Sequence, residues 1–160
     1  MDILDQLREI VGQTHVLSGD DTQRYSADWL KQYHWTPLAV VRPGETAEVA
    51  RVVEFADQNQ LSIVPMGGNT GLTGATRAQD SIVISLERMS KIRKIGKDAK
   101  IAIVEAGAIL SNVHAAADDH DLVFPLTFGA KGSATVGGVI GTNAGGSNVL
   151  RYGNTRDLVL

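Results

Sequence analysis

Apolar and polar positions alternate along the chain in stretches of distinct period. Ile3, Leu4, Leu7, Ile10 and Val11 recur at helical spacing, which predicts a short amphipathic helix stopped by Gly12. Residues 18–37 are polar and carry Tyr25, Trp29, Tyr33 and Trp35. This mixture predicts turns and a helical turn, with the aromatic rings pinning an N-terminal arm, residues 1–36, to the rest by packing. Residues 38–42 form a short apolar run ended by Pro43-Gly44, read as a strand. Thr46 reads as an N-cap, and Val49, Val52, Val53 and Ala56 share one face of a helix that runs to Asn59. Residues 61–65 and 81–86 read as further strands. Strand, helix and strand in close succession make a βαβ crossover, so the first two strands should run parallel.

The second half has a different rhythm. Residues 91–96 and 101–106 alternate on either side of Lys97-Asp98-Ala99-Lys100, which predicts a hairpin and the start of an antiparallel sheet. Residues 109–120 read as a helix, with Ile109, Val113, Ala116 and Ala117 on one face. The last four residues, Asp157-Leu158-Val159-Leu160, read as the opening of another strand. No internal repeat is visible. The expected fold class is α+β, a small parallel βαβ sheet followed by an incomplete antiparallel one.

Composition narrows the chemistry. Hydrophobic residues make up 43% of the 160 positions, enough for a core. The net charge is -3 and no run of Lys or Arg occurs, which argues against a nucleic-acid surface. The chain has no cysteine, so disulfides, thiolate metal sites and a cysteine nucleophile are excluded, and no metal site is expected. The N-terminus lacks the basic and apolar regions of a signal peptide, and no apolar run approaches a membrane span. A cytoplasmic protein without a transmembrane segment is expected.

Most of the 17 glycines fall in two segments. Gly67, Gly68, Gly71 and Gly74 follow the second predicted strand; Gly129, Gly132, Gly137, Gly138, Gly141, Gly145, Gly146 and Gly153 lie near the C-terminus. Between Leu122 and Leu150 the only charged residue is Lys131. Glycines let backbone N–H groups converge without side chains in the way, which builds an anion site with no basic side chain. Asn69, Thr70 and Thr73 add side-chain donors, and a diphosphate suits such a loop. Neither a P-loop nor a Gly-x-Gly-x-x-Gly fingerprint is present. Val136, Val139 and Ile140 punctuate the second segment as a packed turn or short helix would, unlike a flexible linker.

These segments belong to an ordered set of motifs: Val41-Arg42-Pro43, Pro65-Met66-Gly67-Gly68-Asn69-Thr70-Gly71, Val104-Glu105-Ala106-Gly107, Thr135-Val136-Gly137-Gly138, Gly141-Thr142-Asn143-Ala144-Gly145-Gly146 and Arg151-Tyr152-Gly153. In order and spacing they resemble the PCMH-type FAD-binding domain of the vanillyl-alcohol oxidase superfamily, from about Tyr25 onward. Within it, D-2-hydroxyglutarate dehydrogenase, D-lactate dehydrogenase and the glycolate-oxidase flavin subunit are the most similar members. The resemblance implies a two-subdomain fold over residues 37–160, with FAD between a parallel and an antiparallel sheet. It implies that Gly67, Gly68, Asn69, Thr70, Gly71 and Leu72 cradle the pyrophosphate, assisted by Gly74 and Ala75. Gly132, Ser133, Thr135, Gly138, Thr142 and Asn143 would line the rest of the cofactor. The implied reaction is oxidation of a D-2-hydroxy acid to a 2-oxo acid by hydride transfer to FAD, with an electron acceptor to regenerate the flavin. Alternatives are an alcohol oxidase, a cell-wall amino-sugar reductase, or a nucleotide-binding module without turnover.

Some members attach FAD covalently through a histidine after the paired glycines or a cysteine further on. Here Asn69 follows Gly67-Gly68, which implies non-covalent FAD. No catalytic residue is assigned, because His15, His34, His114 and His120 all lie outside the matching motifs and the family places its substrate residues mainly in a later domain. The bland readings are a solvated His114 and His120, a structural Glu105–Arg151 ion pair, and Asp157 capping a turn. The chain is further expected to be an N-terminal fragment, inactive and without stoichiometric FAD by itself, and to self-associate through the open edge of its second sheet.

Overall fold

Apolar runs bounded by turn residues become the strands of the first half of the chain. The computed structural model describes residues 2–160 and divides into two compact units, Met1–Arg88 and Met89–Leu160. In the first unit, helix α1 (Ile3–Val11) buries Leu7 and Val11 and ends at Gly12, whose φ is +92°. Strand β1 (Val16–Leu17) follows, a pairing too short to show in the sequence pattern. Strand β2 (Ala39–Val41), helix α2 (Thr46–Gln58), β3 (Ile63–Met66) and β4 (Ile82–Ser85) complete the unit. The sheet order is β1-β2-β4-β3; β1 is antiparallel to β2, and β4 is parallel to both β2 and β3.

Both faces of this sheet are covered, and the period of two sorts the side chains between them. Ala39, Val41, Ile82 and Ile84 pack with Leu7, Val11, Val52, Phe55 and Ala56 of the two helices. Val40 and Val83 face the other way, into a cluster with Tyr25, Trp35, Met66 and Ala78.

The first two strands run parallel, as expected, with β4 between them. Pro65 gives the reason, since a residue without an N–H is tolerated on an edge strand, and β3 is the edge. All four residues of β4 are buried, as a central strand requires. Several expectations are corrected here. Thr46 is not the N-cap of α2. Glu45 holds that position without a side-chain cap, and the Glu48 carboxylate reaches back to accept from the Gly44 N–H at 2.7 Å. On the same helix Val53 is exposed and Phe55 is buried, because Val52, Phe55 and Ala56 follow the i, i+3, i+4 stripe while Val53 lies one step around the axis. Among the aromatics, Tyr25 and Trp35 are buried, but Trp29 and Tyr33 are 56% and 54% exposed. They lie in the tip enclosed by the Ala27–His34 bridge, which is closed by backbone pairing rather than ring packing.

In the second unit, β5 (Ile92–Gly96) and β6 (Ile101–Val104) form the expected antiparallel hairpin, irregular between Ile92 and Lys94. Helix α3 (Leu110–Asp118) buries Leu110, Val113 and Ala117. A 3-10 turn (Gly129–Gly132), α4 (Val136–Gly141), α5 (Val149–Tyr152) and a second 3-10 turn (Thr155–Leu158) follow. Leu110, Leu126, Ala134 and Val139 form the core. The expected terminal strand is absent: the Asp157 carboxylate accepts from the Asn154 N–H at 2.8 Å and closes a capping box, which winds the chain into the 3-10 turn. Asp157 thus caps a turn, as read. Glu105 pairs with Arg93 at 3.0 Å, while the Arg151 guanidinium lies over the Tyr152 ring.

Candidate functional site

Because β2, β3 and β4 run parallel, their carboxyl ends share one edge of the sheet. Three segments leave from that edge: Arg42-Pro43-Gly44, the glycine loop after Met66, and Leu86-Glu87-Arg88. Open α/β sheets bind ligands beyond the carboxyl ends of their strands. The glycine loop holds eight of the sequence-predicted residues, Gly67, Gly68, Asn69, Thr70, Gly71, Leu72, Gly74 and Ala75.

Few backbone hydrogen bonds hold this loop. Among the described residues, no backbone N–H from Gly68 to Thr76 donates to another protein group; the first to do so is Arg77, to the Gly74 carbonyl at 3.2 Å. Residues 68–76 are exposed or half-buried, so these N–H groups are open to water or to a ligand. A Cβ at Gly71 would meet nothing within 4 Å, and Gly71 is outside the left-handed region. Neither packing nor backbone geometry within the unit calls for glycine there. Asn69 and Gly74 do adopt left-handed backbone, at φ 50° and 70°. The Asn69 side chain is occupied: Nδ2 donates to the Ala27 carbonyl at 2.8 Å and Oδ1 accepts from the Thr76 hydroxyl at 2.7 Å.

Cations at the same sheet edge are matched by carboxylates. Glu87 accepts from the Tyr25 hydroxyl at 3.0 Å and pairs with Arg42 at 3.3 Å and Arg24 at 3.5 Å. Arg88 pairs with Glu48 at 3.7 Å and donates to the Arg42 carbonyl at 2.7 Å. Burial, then the Glu87 carboxylate, pushes the Tyr25 phenol above its ordinary pKa. Burial, then Arg88 and Arg42, holds the His15 imidazole below its own. Beside these pairs, the loop presents its own backbone N–H groups and, at its exit, the exposed Arg77, which no carboxylate pairs among the described residues. Sequence reasoning missed the Tyr25–Glu87 and Asn69–Ala27 bonds, which join residues 62 and 42 positions apart. The one signal was an asparagine among glycines, a residue that tolerates left-handed backbone.

The second glycine segment lies in the other unit and is built differently. Gly132 ends the first 3-10 turn and Ser133 donates its N–H to the Ala130 carbonyl. Thr135 is the N-cap of α4, accepting from the Gly138 N–H at 3.2 Å; the Thr142 hydroxyl donates to the Gly138 carbonyl at 2.9 Å. Asn143, at φ 47°, accepts from the Arg156 N–H at 2.9 Å. Here several glycines are packing residues. A Cβ at Gly137 would come within 2.9 Å of Ala106, and one at Gly146 would overlap the Thr127 carbonyl. Gly129, Gly132 and Gly141 stay open. Close by, His114 Nε2 bonds the Leu126 carbonyl at 2.8 Å, and His120 Nδ1 the Ala116 carbonyl at 2.8 Å. His114 is thus half-buried and bonded rather than solvated. A cavity of about 360 Å³ beside it is lined by His114, Asp118, Phe124, Thr127 and Asn148, none of them a predicted site residue. Among the described residues no helix is long and apolar enough to cross a membrane.

Comparison with known proteins gives a consistent picture. A family model described as FAD binding domain matches residues 37–160. A D-2-hydroxyglutarate dehydrogenase from Xanthomonas citri pv. viticola is 44% identical over 140 residues, 87% of this chain and 30% of the relative. A mitochondrial D-2-hydroxyglutarate dehydrogenase from Arabidopsis thaliana is 35% identical over 157 residues, 96% of this chain and 28% of the relative. This chain therefore spans about 30% of the length of such relatives. Among solved structures, an alkyldihydroxyacetonephosphate synthase superposes with a TM-score of 0.86 at 18% identity, covering 98% of this chain and 31% of its own. The 6-hydroxy-D-nicotine oxidase from Arthrobacter nicotinovorans superposes at 0.78 and 22% identity, covering 89% and 31%. At such identities these structures speak to the fold.

Proposed function

The chain belongs to the FAD binding domain family, and on that premise we propose that it is the cofactor-holding part of a flavin-dependent dehydrogenase that oxidises a D-2-hydroxy acid to a 2-oxo acid. The observation that carries the reading is the run of free N–H groups from Gly68 to Thr76 at the carboxyl edge of the parallel sheet. Unpaired backbone N–H groups suit a diphosphate, and the open space at Gly71 permits close approach. In this reading Gly67, Gly68, Asn69, Thr70, Gly71 and Leu72 hold the diphosphate, with Gly74 and Ala75 at the flank. Gly132, Ser133, Thr135, Gly138, Thr142 and Asn143 serve the remainder of the cofactor. The Thr135 and Thr142 hydroxyls bond within the turn around Gly138, and the Asn143 Oδ1 accepts from the Arg156 N–H; the Thr135 hydroxyl proton and the Asn143 amide N–H groups are the donors this reading gives to the cofactor. Residues 1–36 form an arm and residues 37–160 the FAD-binding portion.

FAD, when bound, supplies the hydride-accepting chemistry, and the protein supplies binding and orientation. D-2-hydroxyglutarate is the proposed substrate, because it is the acid named in the 44% and 35% identical relatives. The test uses the whole product of the natural gene. The purified protein should be yellow, bleach on anaerobic addition of D-2-hydroxyglutarate, and regain colour with an artificial electron acceptor. A colourless preparation that takes up no FAD sinks the cofactor reading. A yellow protein bleached by other alcohols but not by D-2-hydroxy acids moves the substrate elsewhere.

A further inference from the structure

We propose that Asn69 is a positioning residue that locks the open glycine loop to the N-terminal arm, which makes the arm part of the diphosphate site. The proposal rests on the reading of that loop as the FAD diphosphate site and adds what holds it in shape.

A loop whose N–H groups donate to nothing within the protein has no ladder of its own to fix its conformation. Affinity for an anion then depends on how well the backbone is held beforehand. The braces must come from side chains and from neighbouring segments. Asn69 uses both ends of its amide for this. Its Oδ1 accepts from the Thr76 hydroxyl at 2.7 Å, which ties the start of the loop to its end. Its Nδ2 donates to the Ala27 carbonyl at 2.8 Å, which ties the loop to the arm.

The arm is itself well anchored at that point. Ala27 pairs with His34 across a backbone bridge, and the Trp35 N–H donates to the Ser26 carbonyl at 2.9 Å. The Trp35 indole N–H donates to the Tyr25 carbonyl at 2.7 Å. Tyr25 and Trp35 are buried in one cluster with Met66 and Ala78, which lie just before and just after the loop. Thr36 then exchanges two further bonds with the segment beyond it: its N–H donates to the Gln79 amide oxygen at 3.0 Å and its carbonyl accepts from the Asp80 N–H at 3.0 Å. The arm therefore grips the loop at its entrance, at Asn69 and at its exit.

The competing reading is that Asn69 is there only because asparagine tolerates φ 50°. Glycine tolerates that conformation better still, so N69G separates the two. The experiment prepares the whole natural gene product as apo protein, in wild-type form and as N69G, T76V and the double variant. FAD is titrated into each. Apo samples are also digested with trypsin, following cleavage after the exposed Arg77 at the loop's exit. N69G should weaken FAD binding about tenfold by removing two hydrogen bonds, T76V by less, and the double variant no further than N69G. Apo N69G should be cut faster after Arg77. Wild-type affinity and wild-type cleavage in N69G would overturn the proposal while leaving the FAD site intact. Wild-type protein that takes up no FAD overturns the reading of the loop and this proposal with it. If N69G does not fold, T76V decides: weaker FAD binding at an unchanged melting temperature supports the brace, and unchanged binding refutes it.

Discussion

A Cβ at Gly71 would project into open space, whereas one at Gly146 would overlap the Thr127 carbonyl. One residue type thus serves two purposes, and the sequence, which shows only a glycine in each place, does not separate them; the difference lies in neighbours that the fold supplies. The two substitutions should part accordingly. Gly71→Val should leave far-UV circular dichroism and the melting temperature nearly unchanged while raising the FAD dissociation constant by more than about tenfold, or ~1.4 kcal/mol. Gly146→Ala should lower stability by ~1–3 kcal/mol, since a backbone carbonyl must move to admit the methyl. Unchanged FAD affinity in the first variant would mean the loop is only a turn. Tyr25 offers a second test at this scale. Burial and then the Glu87 carboxylate hold its phenol above the ordinary range. With the folded value raised, the associated stability is complete below the ordinary tyrosine pKa of about 10 and is lost as pH rises through the folded value. In ultraviolet titration the phenolate component missing from Tyr25→Phe should therefore lie above that range. The stability advantage of wild type over the variant should shrink there too.

At the scale of elements, helices and strands with a clear period were legible: α1, the stop at Gly12, and the β5–β6 hairpin all follow from spacing alone. What escaped was partner choice. Nothing local in Ile82–Ser85 says that it separates β2 from β3, although Pro65 restricts β3 to an edge. The terminal residues looked like a strand because Leu158-Val159-Leu160 is apolar, yet the Asn154–Asp157 capping box, three positions apart, decided the local structure. The hairpin carries its own prediction. Glu105 closes its open end by accepting from the Lys91 N–H at 2.8 Å and from Arg93 at 3.0 Å. The Lys91 N–H first, and Arg93 after it, hold the Glu105 carboxyl below its ordinary pKa. A depressed folded value means that the contribution is present above the unfolded carboxylate pKa and is lost as pH falls through the folded one. Glu105→Gln should melt below wild type at neutral pH, and the gap should close as pH is lowered beneath the usual carboxylate range. A gap independent of pH would assign Glu105 a purely steric role.

For the whole molecule, family membership was legible because motifs in fixed order run through most of the chain, from Val41-Arg42-Pro43 to Arg151-Tyr152-Gly153. Catalytic residues were not, since no histidine lies in those motifs and the chain spans about 30% of the relatives it matches. The manner of holding FAD can nevertheless be argued from the residues in hand. Covalent attachment needs a nucleophilic side chain at the flavin, and the chain has no cysteine. The position after Gly67-Gly68 is Asn69, whose amide nitrogen has its lone pair delocalised into the carbonyl and is already donating to Ala27. None of the four histidines, His15, His34, His114 and His120, lies in either glycine segment's matching motifs. The loop instead offers N–H groups that donate to no other protein group, and in the proposed reading these hold the diphosphate reversibly. FAD in the whole natural gene product should therefore be bound non-covalently. Acid precipitation and centrifugation should leave the yellow colour in the supernatant, and addition of FAD to the stripped, refolded protein should restore it. Colour that stays with the washed pellet would show a covalent bond and would require a nucleophile outside the two glycine segments.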